Sequence, residues 1–165
     1  RMAVRLDDAT RLETVAAGSV DAVVTSPPYV ATYDYLAHHD VRLRWLGLDA
    51  TRFAEGELGA RRRFAGGAPG AARGEWRREL WAFFAAASRV LRPGGALVVL
   101  MADSAVGHEA LRADELVLEA IQGLPLAPMA RASQARPHFH GPTSRVFARE
   151  PRREHALLLS RRTAR

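Results

Sequence analysis

The sequence contains no cysteine and no lysine, and its apolar runs are short. Without cysteine the chain can form no disulfide and offers no thiolate to a metal ion. The longest apolar runs, such as Ala96–Ala102, fall far short of the roughly 20 residues that a membrane-spanning helix needs. No secretory leader is recognisable at the start, so a cytoplasmic protein without a membrane partner is the expectation.

All 24 cationic side chains are arginines, and against 18 acidic residues they give a formal net charge of +6. A basic surface suits a polyanionic partner such as nucleic acid. The absence of lysine beside frequent alanine, glycine and arginine is also typical of GC-rich codon usage, so the charge alone adds little weight. The length of 165 residues and the hydrophobic content of 48% predict a globular domain with its own core.

Apolar runs and helical patterns alternate along the chain, which predicts an α/β fold. Strands are predicted at Met2–Leu6, Asp21–Thr25, Ala96–Ala102, Met129–Ala135 and His155–Ser160. Helices are predicted at Thr10–Ala17, Tyr33–Leu48, Glu75–Leu91 and His108–Gln122, with a basic Gly/Ala/Arg-rich loop near residues 55–74 whose "GGAPG" (Gly66–Gly70) favours mobility. The sheet is expected to be mostly parallel, with an antiparallel edge strand.

The segment "VVTSPPY" (Val23–Tyr29) ends an apolar strand with two prolines. Proline has no N–H to donate to a strand ladder, so Pro27 and Pro28 stop the strand abruptly. Ligands of open α/β sheets bind beyond the carboxyl ends of the strands, and this is where Ser26–Tyr29 is expected to lie. The later Pro93–Gly95 is predicted to be a turn that supports the fold rather than the chemistry.

The stretch Ser26–Tyr29 resembles the [D/N/S]-P-P-[Y/F/W] motif of S-adenosylmethionine-dependent amino-methyltransferases, and its serine form is most similar to the cytosine-N4 branch of DNA methyltransferases. "LDDAT" (Leu6–Thr10) and "GSVDAVV" (Gly18–Val24) resemble the segments that precede this motif, and "LRPGGALVVL" (Leu91–Leu100) resembles the helix–turn–strand that follows it. The resemblance implies that residues 1–165 are a segment of one class I, Rossmann-like methyltransferase domain. It also implies S-adenosylmethionine as cofactor and an exocyclic amino group of a DNA base as substrate, with cytosine N4 favoured over adenine N6.

The resemblance implies a role for each residue of the motif. An exocyclic amino group is a poor nucleophile because its lone pair is delocalised into the base. The Ser26 hydroxyl and the Pro27 carbonyl are expected to accept its two hydrogens and so localise the lone pair. Pro27 and Pro28 hold the carbonyl rigidly, which preorganises the reacting geometry. Tyr29 is expected to stack on a base that has left the duplex.

The cofactor contacts implied by the resemblance are Asp8, Ala9 and Thr25. Asp8 stands where the family places an acidic turn against the adenine of the cofactor. A purely structural alternative remains open, because Asp8 can also cap a short helix near Thr10, and Asp7 competes for either role.

Nucleic-acid contacts are predicted at Tyr33, Arg61, Arg62, Arg63 and Arg145. Tyr33 follows the motif directly, and the arginines extend "ELGARR" (Glu57–Arg62) or lie in the basic stretch after His138. A core position for Tyr33 and an ordinary solvated basic loop remain open alternatives. No metal site is expected, since His138 and His140 have no acidic or thiolate partner beside them.

The chain departs from the family pattern in one respect, because it has no glycine-rich cofactor motif of the F-x-G-x-G kind. The fold is therefore expected to be incomplete as given. The missing motif is expected upstream, since Arg1 is not an initiator. The alternatives are a downstream position, as in the permuted branch of the family, and a second polypeptide that supplies it.

Two other functions remain open at this point. The first is an RNA amino-methyltransferase acting on guanine N2, although those enzymes usually carry an acidic residue where Ser26 stands. The second is a non-catalytic nucleic-acid-binding remnant that keeps the fold and has lost the cofactor site.

Overall fold

The structure is a computed structural model that describes residues 2–64, 69–137 and 144–163. Its strands are Val20–Thr25 (β1), Leu91–Ala102 (β2), Ser104–Val106 (β3), Glu109–Leu111 (β4), Leu126–Ala135 (β5) and Arg153–Arg161 (β6). Its helices are Tyr35–Trp45 (α1), Thr51–Gly56 (α2), Arg61–Phe64 (α3), Pro69–Val90 (α4) and Ala113–Ala120 (α5), with a short 3-10 helix at Arg145–Phe147. None of these helices combines the length and apolarity required to cross a membrane.

Four of the strands form one sheet in the order β1-β2-β6-β5. β1 and β2 are parallel, with Thr25 opposite Val99, whereas β6 runs antiparallel to both β2 and β5. The ends of β1, β2 and β5 and the beginning of β6 therefore meet at one edge of the sheet, which we call the carboxyl edge. The predicted α/β class is confirmed, and the sheet is mixed: the antiparallel strand is β6, which lies between β2 and β5 rather than at the edge.

One face of this sheet is covered by α4 and α5. Side chains alternate along a strand, so every second residue of β2 and β6 points to the same face. Leu97, Val99 and Leu159 are fully buried beneath apolar residues of the two helices, among them Trp76 and Leu116. Removing this much apolar surface from water is the main source of the fold's stability.

The opposite face of the sheet carries apolar residues that no described element covers. We call it the open face and define it by Val24, Val98, Leu100 and Leu158, which lie opposite or next to one another in the strand registers. Val24 is 77% exposed and Leu100 is 39% exposed. β1 is also the end strand of the sheet among the described residues, so its outer edge is unpaired there.

The predicted turn Pro93–Gly95 lies inside the first part of β2, where the ladder to β1 skips from a Val20–Leu91 pair to an Ala22–Ala96 pair. Gly94 has a φ of +78°, a conformation that glycine adopts without strain. A Cβ on Gly95 would lie 2.9 Å from the Arg92 carbonyl oxygen. The two glycines therefore allow the strand to bulge before the regular ladder begins.

The predicted strand at Met2–Leu6 is wrong, since the structure leaves these residues without a strand partner and Val4 is 88% exposed. An apolar run forms a strand only where a neighbouring strand completes its hydrogen bonds. The predicted helix at Thr10–Ala17 is also wrong. Its place is taken by a loop in which the Asp7 carboxylate accepts the N–H groups of Glu13 and Thr14, and such side-chain bonds compete with helix formation.

The remaining helices agree with the sequence in type and differ in extent. α1 confirms the helix predicted after the motif, and Gly47 follows its end with a φ of +64°. α4 begins at Pro69, and α2 and α3 occupy part of the loop predicted near residues 55–74; Gly66–Ala68 lie outside the described residues. The helix predicted at His108–Gln122 is shorter in the structure: α5 forms its later part, and β4, paired with β3 in a hairpin, takes the place of its beginning.

Candidate active site

The predicted motif follows β1 at the carboxyl edge. Ser26 is exposed, Pro27 is buried, and Tyr29 is half-buried with its ring packed against the core. The Tyr29 hydroxyl donates a hydrogen bond to Glu154 Oε1 at 3.1 Å. Burial is the main reason why the pKa of Tyr29 is raised, and the neighbouring Glu154 contributes to the same direction. The structure thus places a hydroxyl and an anchored aromatic ring side by side at an edge where ligands of α/β sheets bind.

Glu154 is a site residue that the sequence analysis missed. Its Oε2 atom accepts hydrogen bonds from Arg136 Nε at 3.1 Å and from Gln134 Nε2 at 3.3 Å, while Oε1 accepts from Tyr29. Its side chain is only 12% exposed. The sequence offers one signal, an acidic residue at the end of an arginine-rich stretch just before an apolar strand.

Asp103 is a second site residue that was missed, and it lies directly after β2 with no exposed surface. Its Oδ1 accepts the N–H of Ala113 at 2.9 Å, and its Oδ2 accepts the N–H of Arg153 at 3.0 Å and Arg112 Nη1 at 2.8 Å. Burial alone raises the pKa of this carboxyl, but these hydrogen bonds outweigh it and the pKa is lowered. An acid that directly follows a buried apolar run was the available signal.

His155 extends this network into β5. Its Nε2 lies 3.1 Å from Asp103 Oδ1 and 3.8 Å from Asp114 Oδ1, and its Nδ1 lies 2.8 Å from Ser133 Oγ. Asp103, Asp114 and His155 offer ligand atoms that lie close enough together to surround a metal ion. The Asp103 oxygens already accept several hydrogen bonds, and Asp114 pairs with Arg131, so the cluster is a satisfied polar network. His138 and His140 lie outside the described residues.

The predicted cofactor contacts are not gathered at the carboxyl edge in the described part of the chain. Asp8 Oδ1 accepts the backbone N–H of Thr10 at 2.8 Å and its hydroxyl at 2.6 Å. The bonds from Thr10 lower the pKa of Asp8. Ala9 is exposed in the same turn, whereas Thr25 ends β1 beside Ser26.

The loop after Asp8 is fixed at the other edge of the sheet. The Arg89 guanidinium, just before β2 begins, donates to the carbonyls of Arg11, Leu12 and Val15 at 2.7–3.1 Å. The N-terminal segment is therefore attached to the end of the sheet that lies away from Ser26.

Of the predicted nucleic-acid contacts, Tyr33 and Arg61 retain much of their surface. Tyr33 is 44% exposed, and its ring lies 5.6 Å from that of Tyr35. Arg61 is half-exposed and lies 3.5 Å from Asp34. Arg145 is exposed on the short 3-10 helix that packs on β4.

Arg62 and Arg63 keep 35% and 36% of their side-chain surface exposed, but both are engaged in ion pairs with other residues of the chain. Arg62 forms an ion pair with Glu57, and Arg63 forms ion pairs with Glu75 and Glu79. Arg62 thus joins α3 to the end of α2, and Arg63 joins α3 to α4. A nucleic acid would have to compete with these carboxylates for the two guanidinium groups.

These ion pairs explain the "ELGARR" stretch. Glu57 is buried, and its Oε1 accepts the first N–H of α1, from Tyr35, at 2.6 Å. Gly59 has a φ of +64°, and a Cβ there would meet the Trp76 ring at 3.0 Å. The Gly59 carbonyl accepts the N–H of Ala31 at 2.9 Å. The stretch thus clamps the residues that follow Tyr29.

Several solved structures with similar architecture are described as methylases or methyltransferases. A protein from Thermus thermophilus, assigned as a DNA modification methylase, aligns over 97% of this chain and 54% of its own with a TM-score of 0.57 and 18% identity. Its complex with S-adenosyl-L-methionine gives a TM-score of 0.56 at 19% identity, over 97% of this chain and 55% of its own. The cytosine-N4-specific PvuII DNA methyltransferase aligns over 94% of this chain and 48% of its own, with a TM-score of 0.56 and 12% identity.

The fold is that of the class I methyltransferases. No protein-family model matches the chain, and no curated protein matches it by sequence. The chain spans about half the length of the solved methyltransferases named above. The unpaired outer edge of β1 and the open face are the parts of this methyltransferase fold where the described residues provide no neighbour.

Proposed function

We propose that the protein is an S-adenosylmethionine-dependent methyltransferase that acts on an exocyclic amino group of a DNA base, with cytosine N4 favoured over adenine N6. One observation carries the proposal: Ser26–Tyr29 lies at the carboxyl edge of a sheet with the class I methyltransferase fold, and the Tyr29 ring is held there by Glu154. Two of the similar structures are of proteins named as DNA methylases, which supports DNA as the substrate.

The chemistry of the site follows from the residues of the motif. The Ser26 hydroxyl and the Pro27 carbonyl accept the two hydrogens of the target amine and draw its lone pair out of the ring. The Tyr29 ring stacks on the face of the flipped base, which holds the amine in line for attack. When bound, S-adenosylmethionine would supply the methyl group from its sulfonium and leave as the neutral thioether S-adenosylhomocysteine, and the methylated nitrogen would lose one proton to solvent.

The described residues fit the substrate half of such a site better than the cofactor half. Asp7 and Asp8 use their carboxylates within their own turn, and the chain has no glycine-rich cofactor motif. We therefore propose that a second segment, of the same polypeptide or of another chain, supplies that motif. It would pair with the outer edge of β1 and cover the open face, and Asp8, Ala9 and Thr25 would contact the cofactor only in its presence.

The DNA is proposed to lie across the carboxyl edge. Tyr33, Arg61 and Arg145 keep exposed surface close to the motif or to the basic stretch before β6 and are the preferred contacts. Arg62 and Arg63 are weaker candidates, because phosphates must displace Glu57, Glu75 or Glu79 from them.

The test is methyl transfer from labelled S-adenosylmethionine to DNA and to RNA, with the modified nucleoside identified by mass spectrometry. The chain is assayed alone and together with its flanking coding sequence. N4-methylcytosine supports the proposal in full, N6-methyladenine corrects the base, and N2-methylguanine in RNA favours the alternative substrate. Absence of both transfer and cofactor binding in the extended protein favours a non-catalytic remnant.

Tyr29→Ala is expected to abolish transfer while cofactor binding, measured by calorimetry on the extended protein, is retained. The ring contacts the base in this proposal and has no part in holding the cofactor. Trp81→Ala removes a half-exposed aromatic residue from α4 and serves as the matched control. Equal loss of transfer and of cofactor binding in Tyr29→Ala contradicts the stacking role.

A further inference from the structure

The Tyr29 ring is fixed at both of its ends. Its backbone follows two prolines, whose φ angles are locked, and its hydroxyl donates to Glu154 Oε1 at 3.1 Å. The two residues are 125 positions apart in the chain, so the bond joins the end of β1 to the beginning of β6 across the carboxyl edge. A ring anchored only at its Cβ can change its tilt, whereas a ring that is also held at its hydroxyl keeps one plane.

Glu154 is itself held in place by residues of β5. Both carboxylate oxygens are engaged, Oε1 by Tyr29 and Oε2 by Arg136 and Gln134. Gln134 is the residue directly opposite Glu154 in the antiparallel ladder. The Arg136 guanidinium is half-exposed and balances the charge of Glu154, so the carboxylate presents little net negative charge to an approaching phosphate.

The residues on either side of Glu154 are both held by the buried Asp103. The N–H of Arg153 donates to Asp103 Oδ2 at 3.0 Å, and the N–H of Asp103 donates to the Arg153 carbonyl at 2.8 Å. On the other side, His155 Nε2 lies 3.1 Å from Asp103 Oδ1. Successive side chains of a strand alternate, so His155 points into the core and Glu154 to the other face, where it meets Tyr29.

We propose that Glu154 is a positioning residue that fixes the plane of the Tyr29 ring for stacking on the target base. The inference rests on the proposed function, because only a stacking ring needs a fixed plane. Glu154 acts through Tyr29 and does not touch the reacting atoms. Its contribution is preorganisation: the ring is already oriented before the base arrives, and a small misplacement of such a group is enough to slow a reaction about 100-fold.

Three substitutions separate this role from a general effect of charge. Tyr29→Phe keeps the ring and removes the hydroxyl. Glu154→Ala removes the acceptor, and Glu154→Gln removes the charge while it keeps an oxygen that can accept from Tyr29. Glu119→Gln makes the same change on α5, where Glu119 pairs with Arg73, and is the matched control.

The kinetic readout is kcat and KM for DNA, measured on the protein together with its flanking sequence. We expect Tyr29→Phe and Glu154→Ala each to lower kcat about 10- to 100-fold with little change in KM. Glu154→Gln should recover activity to within about threefold of the wild type, and Glu119→Gln should match the wild type. Because both variants break the Tyr29–Glu154 bond, the double variant should be no slower than Tyr29→Phe alone.

The second readout needs no catalysis. Tyrosine labelled with 13C at Cζ gives one NMR signal for each of the three tyrosines, and Tyr29→Phe assigns the signal of Tyr29. Glu154 helps to raise the pKa of Tyr29, so its titration should shift to lower pH in Glu154→Ala and remain closer to the wild type in Glu154→Gln. Thermal melting of each variant shows whether it is folded.

The outcomes are distinct. Wild-type kcat in a folded Glu154→Ala overturns the positioning role and leaves the proposed function intact, and so does a Glu154→Gln variant as slow as Glu154→Ala. An unchanged Tyr29 signal in Glu154→Ala also overturns it, because the bond then does not hold the ring. If the wild-type protein methylates neither DNA nor RNA, the proposed function fails, while the Tyr29 signal still decides whether Glu154 holds the ring.

Discussion

Neighbouring residues of β2 differ in burial because they point to opposite faces of the sheet. Val99 is fully buried on the face that α4 and α5 cover, whereas Leu100, the next residue, is 39% exposed on the open face. Both belong to one apolar run of the kind found in strands buried on both faces of a parallel sheet. The difference indicates that the covered face is complete within the described residues and that the open face has the composition of a second interface.

The acidic residues beside β6 and those before β1 show a similar contrast, the first at the carboxyl edge and the second in the segment attached to the opposite end of the sheet. On the β6 side, Asp103 and Glu154 have hydrogen bonds for both of their oxygens and connect segments far apart in the chain. On the β1 side, Asp7 and Asp8 bond only within their own turn. The substrate half of the proposed site is thus built from long-range contacts. The residues proposed for the cofactor half make only local contacts among the described residues. Four predictions sharpen this contrast between the two sides.

The largest effect is expected for Asp103→Ala. The change removes the fully buried carboxylate from Arg112 and His155, and breaking a buried pair of this kind costs about 3–5 kcal/mol. The free energy of unfolding is measured by urea denaturation. Asp21→Ala, which removes an exposed carboxylate 2.9 Å from Arg92 on the β1 side, should change stability by less than about 1 kcal/mol. Similar losses for both variants would remove the contrast.

Leu97→Ala is expected to be the next most damaging change. Leu97 is fully buried on the covered face, and truncating such a leucine costs about 2–5 kcal/mol. Leu100→Ala makes the same change three residues later on the open face and should cost about 1 kcal/mol or less, because much of that side chain already contacts water. Equal losses in urea denaturation would mean that the open face is covered in solution.

Much of the covered side was predictable from the sequence because its signals are local. The apolar runs located β1, β2, β5 and β6, and the two prolines located the end of β1. Pro93–Gly95 marked an irregular backbone, since glycine is required wherever φ is positive or another chain segment comes close.

The missed residues have partners far away in the chain. Nothing near Glu154 indicates that Tyr29 donates to it, and nothing near Asp103 indicates that Arg153 and Ala113 do. The strand predicted at Met2–Leu6 was wrong for a related reason. Its apolar pattern is local, but a strand also needs a partner strand, and none of the described residues provides one. The sequence pattern gives the residue types that a sheet needs, but it does not say which strand is present to pair.

A smaller effect on the free energy of unfolding is expected when the pH is lowered. The pKa of Asp103 in the folded protein is below its ordinary value of 3.8, so its ionised form stabilises the fold. This contribution is complete above the pKa of the unfolded chain and is lost as the pH falls through the lower pKa of the folded state. Asp103→Asn should therefore flatten the dependence of unfolding free energy on pH below about 4. An unchanged slope would assign the acid sensitivity to other carboxylates.

The smallest effect on folding is expected for Val24→Thr on the open side. Val24 is 77% exposed, and threonine keeps the branched shape that suits a strand, so the free energy of unfolding should change by less than about 0.5 kcal/mol. Its effect should appear in association instead. An apolar face beside an unpaired strand edge favours contact between copies of the chain, so the apparent molar mass in light scattering should rise less with concentration in Val24→Thr than in the wild type. If the flanking coding sequence covers this face, the extended protein should show no such difference, and Val24→Thr should then destabilise it, because the hydroxyl would be buried in an apolar interface.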